Sequence, residues 1–312
     1  MRILFMGTPD FALFSLRALC EAGEQVVGVV TQPDKPRGRG YTLTPPPVKV
    51  YAQQQGLAVY QPSTLKSDEF YELLQSLDPE LIVVVAFGKI LPKSVLDYPR
   101  YGCINVHGSL LPAYRGAAPM QRAIMDGCTV TGITTMRMDV GLDTGDMLLS
   151  SEVAIGADDD FEDIHDRLGA CGAQTLLRTI AALRDGSLVA TPQDEALATY
   201  AAKIEKADCA IDFCRPVRVL HDQIRGLSPM PLAFTHTPDG KLLKVLSARP
   251  SEQSFDSSAR PGTVLSLDGG VVTVACGDGA LELLGLLPEG KGRMSAADFI
   301  RGRRISVGDV LK

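Results

Sequence analysis

Residues 103–119 read CINVHGSLLPAYRGAAP, and the way the first five are taken decides the fold. In an extended segment side chains alternate between faces, so Asn105 and His107 point one way while Ile104 and Val106 point into the opposite layer. Gly108 and Ser109 end the strand, and Pro112 keeps the next residues out of a strand ladder. A side-chain amide and an imidazole are thus delivered to a strand's carboxyl end. In open parallel sheets that edge binds ligands, because its loops are free to vary and helix N-termini face it.

Upstream, residues 2–6, 26–31 and 81–86 are short apolar or β-branched runs, as expected of parallel strands buried on both faces. Helical patterns lie between them. Residues 11–22 are apolar at 11, 14, 16 and 19 and stop at Gly23, residues 48–55 follow three prolines, and residues 67–77 open on Ser67 with acids in the first turn. This alternation predicts an α/β chain with a Rossmann-like doubly wound sheet and right-handed crossovers. Residues 7–10, GTPD, sit where a dinucleotide fingerprint would, but Thr8 and Pro9 break G-x-G-x-x-G, which argues against a nicotinamide site.

Downstream, residues 132–138 read as a strand, and residues 138–147, MDVGLDTGDM, form a turn rich in glycine and aspartate. Asp143 is the candidate partner for His107. An amide donor, a histidine and an acid that holds its tautomer suit acyl transfer, in which an oxyanion develops while an attacking amine loses a proton. On the residues alone, a polar pair satisfied at a strand end accounts for Asn105 and His107 equally well.

Composition narrows the class. The 312 residues allow about two domains, and 45% hydrophobic with 22% charged residues is ordinary for a globular protein. No apolar run approaches the roughly 20 residues that span a bilayer, and the short apolar start after Arg2 is no signal peptide, so a cytoplasmic protein without a membrane partner is expected. Seven cysteines without a C-x-x-C pair argue against disulfides and a zinc site, and no metal is expected. The net charge of −6 disfavours nucleic acid on average, yet residues 208–312 hold 13 Lys and Arg against 12 Asp and Glu. Arg215, Arg218, Arg225, Arg293, Arg301, Arg303 and Arg304 can present a basic face there.

Residues 33–40, PDKPRGRG, interrupt the α/β pattern with prolines, glycines and the cations Lys35, Arg37 and Arg39; from charge alone a solvated loop is the simpler account. Residues 161–183 read as a long amphipathic helix, with His165 among acids and lacking metal-ligand spacing, hence structural. Residues 190–207 lose periodicity and read as a linker, dividing a Rossmann-like domain at 1–189 from a second at 208–312. In the latter, a helix from about Pro216 and five short strands separated by turn signals predict a small OB-like β-barrel. Its stacking aromatics are few, and Trp is absent.

Residues 105–107, 109–112, 115–119 and 139–146, with 7–12, 31–34 and 203–229, together resemble the formyltransferases that use 10-formyltetrahydrofolate. The resemblance spans nearly the whole chain and is nearest to members acting on aminoacyl-tRNA. It implies formyl transfer from 10-formyltetrahydrofolate to the α-amine of methionine on initiator methionyl-tRNA, by a monomer. Asn105, His107 and Asp143 would be catalytic, and Ser109, Leu110, Leu111, Pro112, Ile90, Leu91 and Val140 would form the folate pocket. It also implies that Lys35, Arg37 and Arg39 lie on an insertion beside the tRNA acceptor end, giving salt-sensitive phosphate contacts. Where the family commonly has Pro-Trp-Pro this chain has Met230 between Pro229 and Pro231. Two other functions fit parts of the pattern: a formyltransferase acting on a nucleotide-sugar or ribonucleotide amine, and an RNA-holding module without chemistry.

Overall fold

The computed structural model describes residues 1–37, 42–253 and 259–312, and in it the chain forms two compact units. One comprises Met1–Gly116, Thr131–Ala154 and His165–Ala201; the other comprises Ala117–Val130, Ile155–Ile164 and Ala202–Lys312.

In chain order, β1 (Arg2–Gly7), α1 (Asp10–Glu21) and β2 (Gln25–Val30) alternate as expected. A short hairpin of β3 (Lys35–Arg37) and β4 (Thr42–Thr44) follows. Next come α2 (Pro47–Gln54), β5 (Val59–Tyr60), α3 (Asp68–Leu77) and β6 (Leu81–Val85). The Ser67 hydroxyl caps α3 by accepting from the Phe70 N–H at 3.3 Å, and Asp78 ends the helix in left-handed backbone. After α4 (Lys93–Leu96) come β7 (Cys103–His107), β8 (Arg115–Gly116), α5 (Pro119–Met125), β9 (Val130–Arg137) and β10 (Met147–Ala154). The long α6 (Phe161–Asp185) and β11 (Tyr200–Ala201) follow; α5 and residues 161–164 of α6 belong to the second unit.

The main sheet runs β10-β9-β7-β6-β1-β2-β5. The strands from β7 to β5 are parallel, whereas β9 is antiparallel to β7. Residues 3–6 of β1 and all of β6 are buried, which is why both read as unbroken apolar runs. Neither the reversal at β9 nor the edge strand β10 is evident in the sequence, because periodicity carries no direction. Residues 190–207 are likewise no free linker as far as Ala201: Thr191 bridges to Met147, and β11 pairs with β8.

The second unit contains α7 (Val217–Leu227), then β12 (Ala233–His236), β13 (Leu242–Pro250), β14 (Val264–Ser266), β15 (Val272–Ala275), β16 (Ala280–Pro288), β17 (Met294–Ser295) and α8 (Ala296–Arg301). Its antiparallel sheet runs β12-β13-β16-β15-β14, with β17 on β16. The C-terminal residues cover both ends of that order. The N–H groups of His236 and Lys312 donate to each other's carbonyls at 2.8 and 3.0 Å, while Val264 donates to Asp309 at 2.8 Å and Leu311 to Gly262 at 2.9 Å. The sheet therefore curls until its edge strands share one tail, leaving neither as an open template.

A single cut in the sequence does not separate these units. α5 packs against α7, and Met125 joins the apolar core of Leu220, Ile224, Leu243, Val274 and Phe299. The approach is close enough that a Cβ on Gly226 would lie 2.7 Å from Met125 Cγ and 3.2 Å from the Gln121 carbonyl. Glycine is required there by space rather than by backbone angle.

Candidate active site

β7 places the imidazole. Its parallel pairing with β6 and antiparallel pairing with β9, which sets His107 opposite Thr134, fix the strand on both sides. His107 is 5% exposed, whereas Asn105 is only half-buried. Among the described residues none hydrogen-bonds the Asn105 side chain. An amide held on a rigid strand with its donors unspent is available to a ligand.

The loop after β7 is pinned by one hydroxyl. Thr134 Oγ1 donates to the Ser109 carbonyl at 2.8 Å and accepts from the Leu111 N–H at 3.1 Å, while Ser109 Oγ donates to the Ala113 carbonyl at 2.6 Å. Tyr114 then takes a left-handed conformation, φ 60°. That turn aims its carbonyl at His107 Nε2, 3.0 Å away. A carbonyl can only accept, so Nε2 carries a proton. The tautomer is therefore set by Tyr114, a partner that sequence reading does not single out.

Asp143 arrives by a detour. Because β9 runs antiparallel to β7, the loop leaves it beside Cys103, where the Met138 N–H donates to the Cys103 carbonyl at 2.8 Å. It must double back to meet His107. Asp139 Oδ1 tightens the bend by accepting from the Gly141 N–H and Thr144 Oγ1 at 2.9 and 2.8 Å. Gly145 is obligatory, since a Cβ there would lie 1.7 Å from the Arg137 carbonyl. Asp143 itself is left-handed, φ 53°, and its Oδ2 accepts from the Gly116 N–H at 2.9 Å. The same oxygen stands 3.7 Å from His107 Nδ1, too far for a direct hydrogen bond. With Nε2 spent on Tyr114, Nδ1 is the nitrogen left to exchange a proton, and a carboxylate faces it.

The other expected residues divide. Ile90 and Val140 are 85% and 71% exposed. Leu110 and Pro112 are half-buried, and Ser109 and Leu111 are buried and engaged by Thr134. Leu91 packs in the core with Leu65, Phe87 and Val95, so its side chain is not open to a ligand. Lys35 is exposed on β3, and Arg37 ends that strand; Arg39 lies outside the described residues. The root of the hairpin is fixed: Lys49 Nζ donates to both oxygens of Asp34 at 2.8 and 2.9 Å and to Gln61 Oε1 at 2.8 Å. Lys49 and then Gln61 hold the Asp34 carboxyl below its ordinary range. A polar cavity between Arg249, Gln253 and Glu282 belongs to the second unit and contains none of these groups. Among the described residues no group of three or more His, Cys, Asp or Glu side chains is arranged to hold a metal ion, and no helix is long and apolar enough to cross a membrane.

Comparison with known proteins agrees in both parts of the chain. A family described as formyl transferase matches residues 1–180, and one described as formyl transferase, C-terminal domain, matches residues 203–304. A methionyl-tRNA formyltransferase of Citrifermentans bemidjiense is 50% identical over 311 residues, covering 100% of this chain and 96% of that protein. Among solved structures, an N-formyltransferase from Helicobacter canadensis in complex with folinic acid and dTDP-3-aminofucose superposes with a TM-score of 0.66 at 18% identity, over 90% of this chain and 98% of that one. A methionyl-tRNA formyltransferase from Clostridium thermocellum gives 0.55 at 18% identity, over 80% and 94%. The two superpositions speak for the fold alone.

Proposed function

Since the chain belongs to the formyl transferase family, we propose that it moves the formyl group of 10-formyltetrahydrofolate to the free amine of methionyl-tRNA, giving N-formylmethionyl-tRNA for initiation in the cytoplasm. The observation that carries the chemistry is the trio on one unit: an unspent Asn105 amide, a His107 whose Nε2 proton is committed to Tyr114, and Asp143 facing Nδ1.

The amine nitrogen attacks the formyl carbon, the bond from that carbon to folate N10 breaks, and a proton passes from the amine to N10. Asn105 and a protonated Nδ1 would donate to the developing oxyanion, where fixed donors lower the barrier most. Asp143 offsets positive charge on the ring and accepts the amine's proton on its way to N10. Ile90 and Val140, exposed apolar groups, with Leu110 and Pro112, supply walls for a flat ring; the backbone around Ser109 and Leu111 gives shape, and Leu91 backs it from the core.

Lys35 and Arg37 on the hairpin, with Arg39, would contact acceptor-end phosphates, and the curled sheet of the second unit supports an OB-like surface for the rest of the tRNA. The enzyme would act as a monomer. The 50% identity to a tRNA-specific relative favours this acceptor over an amino sugar. Labelled formyl-folate offered with charged initiator tRNA, or with an amino nucleotide sugar, decides the matter: label is expected in the aminoacyl-tRNA, and label only in the sugar overturns the assignment.

A further inference from the structure

Both partners of His107 are held by one downstream stretch, residues 191–201. Thr199 Oγ1 accepts from the Tyr114 N–H at 2.9 Å, and the Thr199 carbonyl accepts from the Arg115 N–H at 2.8 Å. These bonds bracket the left-handed residue whose carbonyl sets the imidazole tautomer. Gln193 Nε2 donates to the carbonyls of Asp143 and Gly145 at 2.8 and 2.7 Å, tying down the far side of the loop that had to double back. Gln193 Oε1 accepts from Arg115 Nε at 3.0 Å, so the same amide joins both halves.

Arg115 is fully buried, and Glu195 receives its other two nitrogens at 2.9 and 2.8 Å. A bidentate pair of this kind is directional as well as strong. β11 completes the clamp: a Cβ on Gly116 would lie 2.8 Å from the Ala201 carbonyl, so the Gly116 N–H that Asp143 accepts is seated against this stretch. Asp143 is thus gripped at its side chain by Gly116 and at its carbonyl by Gln193. Nothing in the reaction requires residues 191–201 to touch substrate.

We infer that residues 191–201 are a strap that positions the two partners of His107, with Gln193 and Thr199 as positioning residues for formyl transfer. The inference rests on the assignment of Asp143 and His107 above. A carboxylate 3.7 Å from Nδ1 has no direct bond to the ring, so its distance is set by its loop and by the Gly116 N–H it accepts, and the strap seats both.

The test uses the full chain with formyl-folate and methionyl-tRNA. Gln193→Met keeps length and removes all three hydrogen bonds; kcat is expected to fall by up to about 10²-fold, the scale of a small misplacement. KM for tRNA and folate affinity should hold. In an Asp143→Asn background the same change is expected to cost little more, because both act through one carboxylate. Glu195→Gln, at an exposed carboxylate, serves if Gln193→Met fails to fold, and should show a smaller loss of the same kind. Full kcat in Gln193→Met, or a loss that multiplies unchanged onto Asp143→Asn, overturns the strap. Full kcat in Asp143→Asn itself would instead overturn the assignment of Asp143.

Discussion

Two polar clusters, one in each unit, use their side chains in opposite ways. In the first, His107 and Asp143 stand 3.7 Å apart and Asn105 lacks a protein partner among the described residues. In the second, Arg225 donates to Asp222 at 2.7 Å and to the Asp159 carbonyl at 2.8 Å, with both side chains 5% exposed. The tight cluster has spent its hydrogen bonds on the fold. The loose one keeps the Asn105 amide and His107 Nδ1 without a direct hydrogen-bond partner among the described residues. Spare capacity alone does not mark a site, since the buried His221 Nδ1 and Gln223 Oε1 beside the second cluster also lack a hydrogen-bond partner among the described residues; at Asn105 and His107 it coincides with a carboxylate that faces the ring.

That contrast can be broken most forcefully in the second unit. Asp222→Asn leaves a buried guanidinium uncompensated and is expected to cost about 3–5 kcal/mol in denaturant unfolding, while the folded fraction keeps its turnover per site. Asn105→Ala should do the reverse. Its kcat is expected to drop by about 10² to 10³, the cost of one oxyanion donor, with the melting temperature and tRNA affinity nearly unchanged; an equal loss of tRNA binding would sink the role. For Asp143→Asn a loss of about 10² in kcat is expected, with folate affinity retained, and full turnover would reduce Asp143 to a shaper of its turn.

The smallest effect concerns two other histidines. The hydrogen bond the ring donates to the Asp10 carboxylate, opposed by burial and aided by Asp166, raises the His165 pKa above 6.5. Its stabilisation is complete below 6.5 and is lost as pH rises through the folded value. Burial, and then the Arg225 charge, lower that of His221, with Arg218 adding to the shift and Asp222 and Asp158 opposing it. Its share is complete above 6.5 and is lost as pH falls through the folded value. Melting temperatures at pH 5.5 and 8.5 are therefore expected to respond oppositely: His221→Gln should lessen the acid-side loss, and His165→Gln should remove stability on the acid side only.

The sequence showed the alternating sheet, the capped helix at Ser67 and the placing of Asn105 and His107 on one face, because periodicity and capping are local. It could not show that β9 reverses, so the route by which Asp143 doubles back was hidden. Gln193 and Thr199 lay in a stretch whose composition says linker; their work is through bonds to residues about 50 and 85 positions away, as the Gln193–Asp143 and Thr199–Tyr114 pairs show. The membership of α5 in the second unit was equally illegible, since a seven-residue helix carries no mark of which core it will join.

That membership sets a timetable for synthesis. α5 ends at Met125, and the helix it packs against begins at Val217. At about 5–20 residues per second a ribosome takes several seconds or more to make the interval. Throughout it, the apolar side of α5 is waiting for a neighbour that does not yet exist. Folding of the second unit is consequently bound to late events on the ribosome, and a fragment begun at residue 202 would lack a piece of its own core.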